Sequence, residues 1–151
     1  LMFMPVSAFS RTLEKLALKF GENIKNPAIK MVVMDFSSGE AGNQDSLVVR
    51  ERLTTFLAQN ANMTVIERAL LEKVFQEQKI QLSGAVSTDT AKKIGELTGA
   101  DVIVSGTLNE LVTGEIEVNA RVIQVETGRI LSAGQATVKK DWKYLKPLSK
   151  I

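Results

Sequence analysis

Two uninterrupted apolar runs constrain the fold of this chain more than any other feature of its sequence. Residues 31–34 and 102–104 contain no polar side chain. A strand that is buried on both faces has this pattern, and such strands occur mainly in parallel sheets whose two faces are covered. The sequence therefore predicts buried strands within residues 28–36 and 101–106.

Amphipathic periodicity predicts a helix ahead of the first strand, within residues 7–24. The apolar residues that share one face of this helix are Phe9, Leu13, Leu16, Ala17, Phe20 and Ile24. Because the opposite face mixes acidic and basic side chains, we expect the segment 1–27 to form an amphipathic helix packed on the body of the protein. A helix that lies on a membrane surface is the alternative.

Helices and strands alternate along the rest of the chain. The apolar spacing predicts three further helices, over about 45–59, 68–79 and 90–98, and one short strand over 63–66. Alternating apolar and polar residues then predict a strand over about 115–125. Gly128 supplies the turn to a returning strand over 130–138.

This order of elements predicts a single α/β (α+β) domain over residues 28–138. A strand–helix–strand–helix–helix–strand unit is followed by an antiparallel hairpin extension, which gives a mixed sheet of about five strands with helices packed on it. We expect the sheet to be parallel on one side and antiparallel on the other. Residues 139–151 are predicted to form a basic tail in which Trp142 and Tyr144 are loosely held.

The composition limits the chemistry available to the chain. Its 151 residues are 44% hydrophobic and 24% charged, which is the balance of a soluble globular protein, and they include no Cys and no His. Thiol nucleophiles, disulfides, thiolate or imidazole metal sites and His-based catalytic arrangements are therefore excluded. We expect no enzymatic activity, no metal and no cofactor.

Basic side chains concentrate at the two ends of the sequence. Residues 139–151 carry five lysines and one aspartate. The favoured interpretation is a solvated terminus, and attraction to an anionic surface such as lipid headgroups is the alternative. Basic and aromatic residues do not interleave, so we expect no nucleic-acid partner. Because the chain begins at Leu1, we expect it to be part of a longer protein.

The polar loop over residues 37–45 is the candidate ligand site. It leads from a buried strand to a helix amino terminus, where free N–H groups and the helix dipole attract anions. Its candidate ligand-binding residues are Ser37, Ser38, Gly39 and Asp45. Because the loop lacks Lys and Arg, and because Glu40 and Asp45 would repel phosphate, an ordinary surface loop is the favoured interpretation.

Arg121 is the candidate centre of a structural ion pair. It lies on the polar side of a predicted strand whose face becomes apolar at Ile123 and Val125. A partly buried Arg needs a carboxylate partner, and Asp35 or Glu67, both at strand ends, could supply one. We favour this structural role over a binding site.

An ordered set of short motifs resembles a known bacterial family. In chain order the motifs are Val33-Met34-Asp35-Phe36, Val65-Ile66-Glu67-Arg68, Glu77-Gln78, Leu82-Ser83-Gly84, Gly99-Ala100-Asp101, Val104-Ser105-Gly106-Thr107, Asn119-Ala120-Arg121 and Val125-Glu126-Thr127-Gly128. Over about residues 7–138 the chain resembles the CsgG/FlgO-like family of curli-assembly and flagellar outer-membrane lipoproteins. That family is distantly related to the amino-terminal domain of TolB.

The resemblance implies a non-enzymatic protein-interaction domain in the periplasm or at the outer membrane. It implies a role in flagellar, curli-like or envelope assembly, with envelope proteins as partners and a membrane tether in the full-length protein, and it allows for a homo-oligomer. Glu67, Arg68, Glu77 and Arg121 match family positions with an architectural role. The alternative function is a small-ligand receptor that binds a cell-wall fragment or nucleotide at residues 37–45.

Overall fold

The computed structural model describes residues 7–24, 28–38, 43–60, 64–79 and 86–144. The helices are α1 (Ser7–Asn23), α2 (Asn43–Asn60), α3 (Arg68–Gln78) and α4 (Thr88–Thr98). The strands are β1 (Lys30–Val33), β2 (Thr64–Val65), β3 (Val102–Glu110), β4 (Ile116–Gln124) and β5 (Ile130–Val138). A 3-10 turn at Asp141–Tyr144 follows the last strand.

The five strands lie in the order β2-β1-β3-β4-β5. β1 pairs in parallel with β2 and with β3, whereas β3, β4 and β5 pair antiparallel. Parallel neighbours need long crossover connections, and here α2, α3 and α4 lie within those connections. The predicted α/β (α+β) class is confirmed, as is the division of one mixed sheet into a parallel and an antiparallel side.

β3 is longer than the sequence predicted. It continues to Glu110 instead of ending near residue 106, because it pairs with β4 along its whole length. Gly106 lies inside the strand as a close-approach position. A Cβ added there would lie 2.1 Å from the backbone oxygen of Asn119 and 2.6 Å from Cε2 of Phe36, so the glycine marks tight packing and not a strand end.

The face of the sheet that packs against α1 and α2, here called the front face, holds the larger core. α1 packs against both α2 and β5. The buried residues of its apolar face are Leu13, Leu16, Ala17 and Phe20, with Ile24 just after the helix. In the structure α1 packs on the body of the protein, while the side chain of Phe9 lies outside the described residues.

The opposite face, here called the back face, is covered by α3 and α4 at its β1–β3 end. Leu71, Phe75 and Ile94 pack there with Val32 and Ile103. Farther along β3, β4 and β5, no helix among the described residues covers the back face. We call this surface the open face. Its residues are Thr107, Asn109, Glu117, Asn119, Arg121, Ala133, Gln135 and Thr137.

The segment after β5 folds back onto the front core. Trp142 is 1% exposed and belongs to the same cluster of buried residues as α1 and α2. The predicted loosely held tail is therefore wrong for Trp142, because a large apolar ring gains more from burial than a short segment loses in freedom. The side chain of Tyr144 and residues 145–151 lie outside the described part.

Candidate functional site

A charged cluster lies where β1 ends. The carboxylate of Asp35 accepts a hydrogen bond from Arg50 Nη1 at 2.7 Å and from Arg68 Nη2 at 2.9 Å. Arg50 comes from α2 on the front face and Arg68 begins α3 on the back face. A single carboxylate therefore ties the end of a strand to one helix on each side of the sheet.

Two more carboxylates complete the charged cluster. Glu51 accepts a hydrogen bond from Arg50 Nη2 at 2.6 Å, and Glu72 accepts one from Arg68 Nε at 3.2 Å. Burial alone would lower the pKa of Arg50, but its hydrogen bonds to Asp35 and Glu51 outweigh burial and the pKa is raised. Because carboxylates hold both guanidinium groups, we interpret the cluster as structural.

Asp35 forms the predicted structural ion pair, but its partner is not Arg121. Arg121 is exposed on the open face, and within the described ranges it makes no ion pair. Its register partners are Ser105 on β3 and Ala133 on β5, where the back face has no helical cover. The expected partial burial of Arg121, and its expected pairing with Asp35 or Glu67, are therefore wrong.

The other predicted ion-pair residues divide into one that pairs and two that do not. Arg68 pairs with Asp35 at 2.8 Å. Glu67 and Glu77 are exposed and have no ionic partner in the part of the chain that the structure describes. Glu67 is the residue before α3, and its side chain makes no capping hydrogen bond. The predicted structural ion pairs of Glu67 and Glu77 are not present among these residues.

A second polar network, here called the clasp, joins the start of α2 to the segment after β5. Asp45 accepts a hydrogen bond from Trp142 Nε1 at 2.7 Å, and its other oxygen lies 3.0 Å from Lys140 Nζ. Lys140 also donates to Glu110 at 2.6 Å. The hydrogen bond to Glu110 and that to Asp45 raise the pKa of Lys140 against the opposing effect of burial.

Arg52 adds a third contact to the clasp. Its guanidinium donates to Asp141 at 2.7 Å and lies 5.3 Å from the centre of the Trp142 ring. An Arg stacked on an indole gains a cation–π attraction in addition to its ion pair. The clasp thus fixes the chain after β5 through one buried aromatic ring and the charged groups around it.

The predicted ligand loop is largely engaged in the fold. The backbone amide and carbonyl of Ser37 bond to the backbone of β3 at 3.0 and 2.8 Å. Ser38 is half-buried, and Gly39 lies outside the described residues. Both carboxylate oxygens of Asp45 are engaged in the clasp, which removes Asp45 from the predicted site. Ligand binding at Ser37, Ser38 and Gly39 stays a prediction.

Amide side chains form a ladder across the open face. Glu117 accepts hydrogen bonds from Asn109 Nδ2 at 3.3 Å and from Asn119 Nδ2 at 3.0 Å. Gln135 Nε2 donates to Asn119 Oδ1 at 3.0 Å. These bonds link side chains of β3, β4 and β5, so the open face is an ordered polar surface.

A groove runs between α1 and β5, at the edge of the sheet, and we call it the edge groove. Its volume is about 330 Å³. Its walls are Thr12, Lys15, Leu16 and Lys19 of α1 and residues 134–137 of β5. The helix approaches closely because residue 134 is Gly: a Cβ added there would lie 2.4 Å from Leu16 Cδ1. β5 is the last strand of the sheet that the described residues form, and no described strand pairs with its outer edge, which the groove follows.

Among the described residues, no group of three or more His, Cys, Asp or Glu side chains could hold a metal ion. None of the helices described is both long and apolar enough to cross a bilayer. The open face and the edge groove are the two surfaces considered for binding a partner.

Comparison with known proteins gives the chain a family context. The model of the family described as curli production assembly/transport component CsgG matches residues 43–114. Over this stretch of 72 residues, slightly less than half of the chain, the sequence is similar to that family. The matched stretch runs from the start of α2 into the β3–β4 turn and includes Asp45, Arg50 and Arg68. The resemblance read from the sequence motifs is confirmed. No curated protein sequence matches the chain.

Solved structures share this CsgG-like fold at low sequence identity. The LpoB C-terminal domain from Escherichia coli is 16% identical, with a TM-score of 0.69 over 87% of this chain and 98% of that one. The LpoB C-terminal domain from Salmonella enterica is also 16% identical, with a TM-score of 0.67 over 91% and 100%. Lipoprotein GNA1162 from Neisseria meningitidis is 16% identical, with a TM-score of 0.59 over 74% and 80%.

Sequence reasoning missed Arg50 and Trp142, the organising residues of the two polar networks. Trp142 had a usable signal, because it is the sole Trp of a chain with 5% aromatic residues, and such a ring is usually well buried. The sequence signal for Arg50 was weaker. Asp35 follows a buried strand and needs a cation, but its distance from each candidate depends on how the helices pack.

Proposed function

We propose that this chain is a non-enzymatic protein-interaction domain of the bacterial cell envelope, in the periplasm and associated with the outer membrane. The match to a curli assembly and transport family supports the envelope setting. The fold shared with a lipoprotein of Neisseria meningitidis supports it as well. The observation that carries the interaction role is the open face, an ordered polar surface that no described helix covers.

The open face is suited to binding a protein because three strands hold its side chains in place. The ladder through Glu117 and Asn119 fixes side chains that would otherwise lose rotamer freedom on binding. A pre-ordered surface loses less entropy when a partner docks than a mobile one does. Partner chains also commonly add a strand to an exposed sheet edge, and β5, the last strand of the sheet, borders this face.

The proposal of binding without catalysis rests on the side chains available. The chain has no His and no Cys. The carboxylates at the centres of the two polar networks, Asp35 and Asp45, are both held by cations, and Asp45 also by Trp142. These contacts support a role for both carboxylates in holding the fold together.

Within the envelope, we propose a role in assembling a flagellar, curli-like or other envelope structure, with envelope proteins as partners. The full-length protein is proposed to be tethered to a membrane. The curli description of the matched family supports an assembly role.

The test compares three immobilised forms of the protein in capture from periplasmic and outer-membrane extracts. The first is the unchanged chain. The second carries Thr107→Arg and Ala133→Arg, which place two long charged side chains on the open face. The third carries Gln76→Arg and Gln78→Arg at exposed positions of α3 as a control that adds the same charge.

We expect the unchanged chain and the control to recover the same defined set of envelope proteins, and the open-face variant to lose it. Equal recovery by all three forms, or no specific recovery by any, would overturn the proposal. Far-UV circular dichroism and unfolding midpoints establish that each form is folded.

A further inference from the structure

We propose that the edge groove receives an extended acidic segment of a partner protein, which adds to β5 as a sixth strand of the sheet. This inference rests on the proposed interaction function and goes further, because it names the site and the chemistry of the partner. The added strand is proposed to come from a different protein and to carry acidic side chains at alternate positions.

The first argument is that β5 is open to pairing. It is nine residues long, lies at the end of the strand order, and contains no charged residue and no Pro. Natural edge strands are usually protected by Lys, Pro, bulges or shortness, because their unpaired backbone groups recruit other strands. The other edge strand of this sheet, β2, has two residues and follows that rule. β5 follows it only at the bulge near residues 122 and 123 of β4.

The second argument is that the edge groove runs along the strand edge. Residues 134–137 all line it, although alternate residues of a strand point to opposite faces. A cavity that touches four consecutive residues is lined by the backbone of the strand as well as by its side chains. α1 forms the outer wall through residues at helical spacing, so the groove has the shape of a slot for an extended chain.

The third argument is charge. Lys15 and Lys19 line the edge groove and are exposed, and in the described part of the chain neither makes an ion pair. The acidic residues of α1, Glu14 and Glu22, are not among the residues that line it. An added strand whose acidic side chains recur at every second residue would turn all of them to the side of α1. Two cations beside an uncharged edge thus favour an acidic partner over a neutral or basic one.

The fourth argument is an unsatisfied polar atom. Thr12 Oγ1 is buried in the wall of the edge groove and has no hydrogen-bond partner in the structure described. Buried hydroxyls nearly always have a partner, and an exception calls for an explanation such as an absent ligand. A strand lying in the groove would supply backbone or side-chain groups that could bond to this hydroxyl.

The probe is a capped, fluorescein-labelled decapeptide in which valine and glutamate alternate. Matched peptides carry glutamine or lysine in place of glutamate. We expect the acidic peptide to bind the full chain, by fluorescence anisotropy, at least about tenfold more tightly than the glutamine peptide at low ionic strength. The preference should shrink as salt is added, because the lysines are exposed.

Variants of the chain localise the site. Lys15→Gln with Lys19→Gln should weaken binding of the acidic peptide about tenfold, whereas the matched pair Lys92→Gln and Lys93→Gln on α4 should leave it unchanged. Thr12→Val, which keeps the shape and removes the hydroxyl, should weaken binding severalfold without lowering the unfolding midpoint. Hydrogen exchange should show slower exchange of amides in residues 130–138 when the acidic peptide is bound.

Three results would overturn the inference. Equal binding of the acidic and glutamine peptides would show that the lysines of the edge groove do not select an acidic partner. Slower exchange confined to residues outside 130–138 would place the partner elsewhere. A concentration-dependent dimer that occupies β5, detected by light scattering, would make a second copy of the chain the occupant. Envelope capture by the open-face variants is a separate experiment, so the proposed function can stand when the acidic strand fails.

Discussion

The parallel and antiparallel sides of this sheet differ in how helices and neighbouring strands cover them. On the parallel side, helices cover both faces and Asp35 ties β1 to Arg50 of α2 and Arg68 of α3. On the antiparallel side, the front face is packed, but no described helix covers the open face and no described strand pairs with the outer edge of the nine-residue β5.

This difference indicates that different residues serve stability and binding. Buried groups that hold each other across elements are where a substitution leaves cavities or unpaired charges. Exposed side chains on a well-formed sheet can change with little effect on folding. We therefore expect substitutions in the charged cluster and the clasp to lower the free energy of unfolding, and substitutions on the open face to leave it nearly unchanged.

The largest expected loss of stability comes from Trp142→Ala. The change removes a ring that is 1% exposed and leaves Asp45 without its indole donor, so the free energy of unfolding should fall by about 3–5 kcal/mol. Urea unfolding followed by far-UV circular dichroism measures it. Trp142→Phe keeps a ring and should lose about half as much. A loss below about 1 kcal/mol for Trp142→Ala would mean that the clasp does not hold this segment.

Asp35→Asn should be the next most harmful change. It removes the charge that two guanidinium groups share, and breaking a buried ion pair costs about 3–5 kcal/mol. Because the Asp35 side chain is 26% exposed, we expect about 2–3 kcal/mol here. Glu96→Gln on the exposed surface of α4 is the control and should change the same unfolding free energy by less than about 0.5 kcal/mol. Equal effects of the two substitutions would contradict the structural role of the charged cluster.

Lys140 predicts a loss of stability at alkaline pH. Its folded pKa is raised above 10.5, so its contribution is complete below that pH and decreases as the pH rises through the folded pKa. Lys140→Met should cost up to about 1 kcal/mol at neutral pH, and the difference from the unchanged chain should shrink above pH 10.5. Unfolding midpoints across this range test the sign. A difference that grows with pH would contradict it, and Lys93→Met on α4 is the control.

Local patterns explain why most of the fold could be predicted from the sequence. The apolar run at residues 31–34 and the turn at Gly128 each depend on neighbours a few residues away. In the structure, residues 31–33 lie in β1 and Gly128 has φ of 74°. Such signals fix the type and order of the elements, which is what the prediction supplied.

The candidate site depended on distances that no local pattern contains. Arg121 and Arg50 are both arginines at polar positions, yet Arg50 donates a hydrogen bond to Asp35 and Arg121 is exposed to solvent. α3 and α4 cover the back face at Ile103 but do not extend along the sheet as far as Arg121. How far this cover extends depends on the lengths of the helices and strands together. Trp142 likewise lies 97 residues from its partner Asp45.

Arg121 gives the smallest expected effect and the sharpest check of the comparison between the two sides. Arg121→Gln should change the free energy of unfolding by less than about 0.5 kcal/mol, because an exposed residue of the open face leaves no cavity and no unpaired buried charge. Combined with Asp35→Asn, the two effects should add within about 0.5 kcal/mol, as expected for sites without a shared partner. A coupling above about 1 kcal/mol in this double-mutant cycle would return Arg121 to the charged cluster. The two sides of the sheet would then share one ionic network, and the division between a stabilising side and a binding side would be lost.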